Sequence, residues 1–157
     1  MKKFGLMLLT LITMSLSAFA DDKQEALDFF YSYVDGANNY NPIITEMYSP
    51  NAKIIRQVIK PDGTTVDVST DTATYIKQMK IGQTGAKLRK YKNAYSNIAV
   101  APVANGFKVT SLRQPSGETY KLKAYMIMQK QPNGKWLIIE ELMQTKEQIF
   151  LRYANKK

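Results

Sequence analysis

The sequence contains no cysteine and no histidine among its 157 residues. Without cysteine the chain has no disulfide, no thiol nucleophile and no site for a lipoprotein acyl chain. Without histidine it has no Ser-His-Asp triad, and an ordinary zinc site is excluded as well. Any chemistry therefore depends on carboxylate, lysine, arginine, tyrosine or hydroxyl groups, and neither a metal site nor a cofactor is expected.

The N terminus has the pattern of a secretory signal. A basic start over residues 1–3 is followed by an apolar stretch over 4–16 and by Ala18-Phe19-Ala20, whose small residues suit a signal-peptidase cut. The apolar stretch is shorter than the roughly 20 residues of a membrane-spanning helix. The sequence thus predicts a cleaved signal peptide over 1–20, a periplasmic protein without a transmembrane span, and one domain over 21–157. Cleavage would lower the formal charge from +9 to +7.

Apolar periodicity predicts three helices early in the mature chain. The first runs from Glu25 to about Ala37, the second begins at Pro42 and ends at Ser49-Pro50, and the third follows a cap at Ser69–Asp71 and ends near Lys80. A β-hairpin over 52–69 lies between the second and third helices.

The second half of the chain alternates like an antiparallel meander. Candidate strands over 87–101, 106–114, 118–130 and 135–144 are separated by short stretches of turn-forming residues. The third strand is the clearest, because its apolar residues share one parity; they are Tyr120, Leu122, Ala124, Met126 and Met128. Residues 146–153 fit either a helical turn or a strand extension, and the sequence does not decide between them.

Two segments and this order of elements resemble a known superfamily. They are Met47-Tyr48-Ser49-Pro50-Asn51-Ala52-Lys53-Ile54 and Asn133-Gly134-Lys135-Trp136-Leu137-Ile138. Together with the order of elements they are similar to nuclear transport factor 2-like proteins, which include the SnoaL-like proteins and ketosteroid isomerase. The resemblance implies a cystatin-like α+β fold, in which three N-terminal helices pack on a strongly curved antiparallel sheet. It also implies a cone-shaped pocket and a homodimer through the sheet.

Two arginines are candidates for an inward-facing anion site. Arg56 shares its parity with Ile54 and Val58, and Arg113 shares its parity with Phe107 and Val109. Their planar guanidinium groups would suit a carboxylate or phosphate head group. The alternative is that both lie at strand ends, in water or paired to Asp67 or Glu118, and the rarity of buried arginine favours this alternative.

Glu140 and Glu141 interrupt an apolar strand, and strict alternation places one of them on each face. The inward one is the best candidate for a general base, because burial raises the pKa of a carboxyl group. Asp35 and Tyr31 of the first helix are expected to face it across the pocket. An ion pair with a neighbouring lysine is the alternative, since unpaired buried acids are uncommon.

Aromatic and thioether side chains supply further candidate ligand contacts. Ten tyrosines are spread over most elements, and Tyr31, Tyr120 and Met126 are predicted to line the pocket with Arg56 and Arg113. A tyrosine offers an apolar wall with a polar tip, and a methionine adapts to a flexible apolar ligand. Plain core packing is the alternative for all three.

The basic excess predicts a positive stripe on the convex sheet face. It would comprise residues at the start of the first meander strand and in the third strand, which are Lys87, Arg89, Lys90, Lys92, Lys121 and Lys123. On a secreted protein such a stripe suits anionic lipid, a cell-wall polymer or an acidic partner. Nucleic acid is not expected, because few aromatic residues share that face. The alternative is a solvated surface.

Three functions remain on these grounds. The first is a non-catalytic periplasmic module that binds a small apolar or anionic ligand in the pocket, or a protein partner on the sheet. The second is a small isomerase or dehydratase that uses a pocket carboxylate. The third is an accessory subunit of an envelope complex. The resemblance favours the first, because enzymes of the superfamily usually place histidine, aspartate or paired acids in the cone, and this chain has no histidine.

Overall fold

The computed structural model describes residues 2–154 of the chain, with side chains from residue 16 onward. It has the predicted α+β architecture, in which helices cover one face of a single six-stranded sheet. The elements in chain order are α1 (Lys2–Asn38), a 3₁₀ helix η1 (Pro42–Met47), β1 (Tyr48–Ile59), β2 (Thr65–Thr70), α2 (Thr72–Leu88), β3 (Asn93–Val103), β4 (Gly106–Pro115), β5 (Leu122–Lys130), β6 (Trp136–Thr145) and a 3₁₀ helix η2 (Gln148–Tyr153).

Helix α1 packs on the sheet through the part that was predicted. Ala26, Phe30 and Tyr33 are buried on its inner face, as expected from residues three or four positions apart. The helix also continues back through residues 16–20, where Leu16 and Phe19 are exposed, so signal cleavage stays a prediction. Within residues 2–154 no helix has both the length and the apolar character needed to cross a bilayer.

Helix α2 is longer than predicted. Asp71 caps its N terminus and accepts a hydrogen bond from the Thr74 backbone N–H at 2.9 Å. The expected end near Lys80 is wrong, because the helix passes through Gly82 and Gly85 to Leu88. Each glycine costs about 1 kcal/mol in a helix, but the inner face continues beyond Lys80, where Gln83 is half-buried and lines a small cavity with Ala37 of α1 and Ile44 of η1.

The sheet has the order β2-β1-β6-β5-β4-β3. All neighbouring strands are antiparallel except β1 and β6, which run parallel in the middle of the sheet. The core lies between the helices and the inner face, where the predicted parity of β4 and β5 is confirmed by buried Val109 and Met126. Two strand starts are corrected: β3 begins at Asn93 instead of residue 87, and β5 at Leu122 instead of residue 118.

A β-bulge in β6 decides which glutamate faces inward. Met128 pairs with Ile138, but the preceding Ile127 pairs with Glu140, so Ile139 is an extra residue in β6. A bulge reverses the parity of the residues that follow it. Ile138 is therefore buried before the bulge, and Glu141 and not Glu140 is buried after it.

The segment after β6 turns back over the sheet as the 3₁₀ helix η2. Of the two alternatives left open for residues 146–153, the helical one is therefore correct. This position brings Phe150 to the rim of the space between the helices and the sheet.

Candidate functional site

A cavity of about 350 Å³ lies between α1, α2 and the inner face of the sheet. Its polar lining includes Arg56, Arg113 and Asn93, and its apolar lining includes Met79 and Met143. The other lining residues are Tyr33, Ala37, Tyr75, Tyr91, Tyr95, Thr145, Glu147 and Phe150. The space is thus a pocket lined mainly by aromatic and apolar residues, with the two cations Arg56 and Arg113 and the carboxylate of Glu147 among its polar groups.

Beside this cavity, Glu141 forms the centre of a buried polar cluster. Its side chain is fully buried, and its Oε1 atom lies 2.7 Å from Nη1 of Arg56, whose side chain is 14% exposed. The Tyr48 hydroxyl donates to Oε2, and the Tyr75 hydroxyl lies 3.3 Å from Oε1. The Tyr33 hydroxyl in turn lies 3.3 Å from that of Tyr48. Both carboxylate oxygens are therefore already bound within the protein.

Burial and charge fix the protonation states of this cluster. Burial raises the pKa of Tyr33 and Tyr48 well above the usual value near 10, and the nearby Glu141 carboxylate raises it further. Burial by itself would lower the pKa of Arg56, but the interactions with Tyr75 and Glu141 outweigh that effect and the pKa is raised. The two tyrosines are therefore neutral hydrogen-bond donors and Arg56 is a cation at neutral pH.

Arg113 is the second cation and has a different environment. It is 8% exposed, and its Nη1 and Nη2 atoms donate to Asn93 Oδ1 at 2.9 Å and to the Gln144 carbonyl at 2.8 Å. Its Nε–H is buried without a hydrogen-bond partner. No carboxylate forms an ion pair with it among residues 16–154. Arg113 is thus a buried guanidinium whose hydrogen-bond partners are neutral and whose Nε–H has no partner.

Arg56 and Arg113 both line the cavity. Their parity with apolar neighbours therefore indicated the correct face, and the favoured alternative, that both lie at strand ends in water or paired to Asp67 or Glu118, is wrong. The acids considered as alternative partners do not bind them. Arg56 pairs with Glu141, while Asp67 accepts a hydrogen bond from Gln57 and Glu118 is exposed.

The structure separates the other expected acid–base residues from the cavity. Glu140 lies on the outer sheet face, where its Oε1 accepts a hydrogen bond from the Tyr125 hydroxyl at 2.6 Å. Tyr31 is 47% exposed, and Asp35 is exposed and accepts a hydrogen bond from Asn39. Phe30 and Tyr33 occupy the inner face of α1, so the expectation that Tyr31 and Asp35 face the pocket is corrected.

Tyr120 and Met126 do not line the cavity either. Tyr120 precedes β5, and the ammonium group of Lys146 lies 4.0 Å from the centre of its ring. Met126 is buried in the hydrophobic core with Val109 and Met128. The alternative of core packing therefore describes Met126.

Several residues of the cavity and of the Glu141 cluster were not predicted from the sequence. Tyr48 of the cluster belongs to the segment that carries the family resemblance, and Tyr75 lies at the edge of the apolar face of the third helix, so both carried a weak signal. Phe150 lines the cavity and comes from the tail whose conformation was left open. The position of Phe150 depends on tertiary packing, so no local sequence pattern predicts it.

No protein-family model matches the sequence, and no curated protein matches it significantly. Several solved structures are similar to this chain. A nuclear transport factor 2-like protein of unknown function from Pseudomonas putida superposes with a TM-score of 0.63 at 11% identity, over 80% of this chain and 87% of that one. A nuclear transport factor 2-like protein with a cystatin-like fold from Novosphingobium aromaticivorans gives 0.60 at 11%, over 88% and 90%.

Nuclear transport factor 2 from Cryptosporidium parvum gives a TM-score of 0.56 at 14% identity, over 80% of this chain and 91% of that one. At such low identities the likeness shows the fold. This chain therefore has the nuclear transport factor 2-like fold that the sequence resemblance implied.

Proposed function

We propose that the chain is a non-catalytic periplasmic module that binds a small molecule with an anionic group and an apolar body in the cavity between α1, α2 and the sheet. The single observation that carries the proposal is Arg113. A buried cation with an unpartnered donor is costly to the protein alone, and an anion would remove that cost.

The chemistry of Arg113 suits a carboxylate or a phosphate. A guanidinium group forms charge-assisted hydrogen bonds with such oxyanions, and these are about twice as strong as neutral ones. The Nε–H has no hydrogen-bond partner within the protein. Because Asn93 and the Gln144 carbonyl already hold the other two nitrogens, the group is fixed in position before a ligand binds.

The rest of the cavity suits an apolar body. Met79, Met143 and Phe150 line it with the tyrosines, and methionine adapts to varied ligand shapes. Its volume of about 350 Å³ lies at the lower end of the range for small-molecule sites. The ligand is therefore expected to be small, such as a short aliphatic or aromatic acid.

The existing hydrogen bonds and ion pair of Glu141 favour a binding function over a catalytic one. A general base must reach the proton that it removes, but this carboxylate is fully buried and bound by Arg56 and Tyr48. The isomerase alternative therefore cannot use Glu141 as its base. The other carboxylate that lines the cavity belongs to Glu147, an exposed residue at the start of η2. The accessory-subunit alternative was based on a basic sheet stripe and on the tail Ile149-Phe150-Leu151 as contact surfaces. Of the stripe, residues 87–92 lie outside the sheet, at the end of α2 and in the turn before β3.

Isothermal titration with two matched probes tests the proposal. Octanoate should bind and octanamide, which has the same length but no charge, should bind at least tenfold more weakly. Arg113→Met should reduce octanoate affinity by roughly tenfold or more, as expected for a hydrogen bond to a charged group. Arg113→Lys keeps the charge but has fewer donors, so its affinity for octanoate should lie between those of the wild type and Arg113→Met.

Arg89→Gln is the control, because Arg89 is an exposed arginine at the end of α2. It should leave octanoate binding unchanged. Equal affinity for octanoate and octanamide, or full octanoate affinity in both Arg113 variants, would overturn the proposed anion site. Native mass spectrometry of the protein from its own compartment should identify the bound acid. The mass of the chain should also give the position of the N terminus.

A further inference from the structure

Helix α2 has an outer face that the cavity does not use. Its inner face contributes Tyr75 and Met79 to the cavity. On its outer face, Ile81 and Leu88 are 71% and 80% exposed. These are the two most exposed large hydrophobic side chains among residues 16–154, so this face carries apolar area that the protein itself does not cover.

Ile81 and Leu88 lie on one line along the helix. They are about two turns apart, so their side chains project in nearly the same direction. Lys77 lies one turn before Ile81 on that line, and Lys80 and Lys87 flank it on one side. The result is an apolar line with a basic border.

The basic residues continue past the end of the helix. Arg89, Lys90 and Lys92 follow in the turn before β3, and the six basic residues from 77 to 92 are all exposed. The same stretch contains no acidic residue. None of the six forms a salt bridge within residues 16–154, so their charge is directed at the solvent.

We propose that this outer face of α2, with the turn to Lys92, docks the protein on an anionic lipid surface. Ile81 and Leu88 would enter the boundary between head groups and acyl chains, and the basic residues would contact lipid phosphates. This combination is what holds amphipathic helices at membrane interfaces. Each lysine or arginine near an anionic bilayer strengthens binding roughly fivefold.

Charge and apolar character together favour lipid over other anionic partners. A single-stranded nucleic acid needs exposed aromatic side chains on which its bases stack, and the apolar residues of this face are aliphatic. The lipid proposal does not depend on the proposed ligand of the cavity, because Arg113 does not belong to the outer face of α2. An experiment can therefore refute either proposal and leave the other standing.

The lack of cysteine permits a site-specific test on the full chain. Leu88→Cys introduces one thiol into a chain that has none, and it can carry an environment-sensitive nitrobenzoxadiazole label. Its emission should shift to the blue with vesicles of phosphatidylcholine and phosphatidylglycerol, but not with phosphatidylcholine alone. High salt should reverse the shift. The same label at Ile149→Cys, an exposed position in η2, should not respond.

A charge-matched pair of triple variants gives the second measurement. Replacing Lys77, Lys80 and Lys87 by Gln should weaken binding to the mixed vesicles roughly a hundredfold. Replacing Lys121, Lys123 and Lys135, which lie exposed on and beside the sheet, removes the same charge and should cost far less. All six lysines are exposed, so neither triple variant should disturb folding.

Three results would overturn the proposal. They are an equal loss in the two triple variants, an unshifted label at Leu88 with the mixed vesicles, and a label that responds equally to uncharged vesicles. A single-stranded oligonucleotide that shifts the Leu88 label when the mixed vesicles do not would assign the surface to nucleic acid instead.

Discussion

Replacing Glu141 by glutamine should destabilise the protein strongly although it changes one atom of the side chain. The substitution removes the carboxylate that neutralises Arg56, which is largely buried and held 2.7 Å away. It also turns one of the two acceptor oxygens, which bind Arg56 and Tyr48, into an amide donor. Breaking a buried ion pair from one side costs about 3–5 kcal/mol, out of a total stability of about 5–15 kcal/mol for a typical domain.

Urea unfolding followed by fluorescence measures this cost. Trp136 is the one tryptophan of the chain, so it reports from β6, the strand that carries Glu141. With a slope of about 2 kcal/mol per molar urea, the midpoint of Glu141→Gln should fall by about 2 M. Glu140→Gln is the matched control: the neighbouring glutamate lies on the outer face and its replacement should cost about 1 kcal/mol or less.

A double variant tests whether the cost of Glu141→Gln comes from the unpaired charge of Arg56. Arg56→Met alone leaves a buried carboxylate and should also be costly, but Arg56→Met with Glu141→Gln removes both charges. The double variant should therefore lose less stability than the sum of the single variants. Equal midpoints for Glu141→Gln and Glu140→Gln, or strictly additive losses, would refute the view that Glu141 serves the structure through Arg56.

Three further predictions follow from burial and backbone geometry. Burial raises the pKa of Tyr33 and Tyr48. Above about pH 10 the folded protein therefore keeps protons that the unfolded chain releases. The free energy of unfolding should then fall by up to about 1.4 kcal/mol per pH unit for each of the two tyrosines. Gly106→Ala should be more destabilising than Gly134→Ala. Gly106 has φ of +151°, and an added Cβ would lie 2.1 Å from the Met128 carbonyl oxygen. Phe30→Ala should cost about 3–5 kcal/mol.

Each of the three has a control. Absorbance of tyrosinate at alkaline pH should be lower in the native protein than in urea at the same pH, and equal signals would contradict the first prediction. Gly134 has φ of +81° with open space around it, so its replacement should cost only the backbone term of about 1–2 kcal/mol. Tyr31→Ala changes the exposed neighbour of Phe30, and similar losses in unfolding experiments would refute the orientation of α1.

The sequence predicted what depends on local periodicity. The inner faces of β4 and β5 are correct because each follows one uninterrupted period, as in Phe107, Val109 and Arg113. In α1 the period located the helix but not the centre of its inner face, since Tyr33 is buried and Tyr31 is exposed. The fold class followed from the order of these elements. Arg113 lies on the face of β4 that this period indicates, and Arg56 of β1 lies on the same face as buried Ile54 and Val58.

The errors arise where tertiary structure overrides the local period. A bulge at Ile139 selects Glu141 over Glu140, and no residue near it announces the extra position. Gly82 and Gly85 suggested an early helix end, but packing of the inner face of α2 extends the helix past both. The basic residues after Lys87 consequently lie next to a helix end and not on the sheet, which changes the surface that they can form.

The parallel pairing of β1 with β6 has a consequence for how the chain folds. β1 is made early and joins Lys53 to Glu140 of the last strand, so the middle of the sheet is a contact of large sequence separation. Such contacts form late and slow folding, because a long loop must close first. In a nascent chain that lacks β6, nothing joins the β1–β2 hairpin to the β3–β5 meander. The sheet can be completed only after the ribosome has released the C-terminal residues.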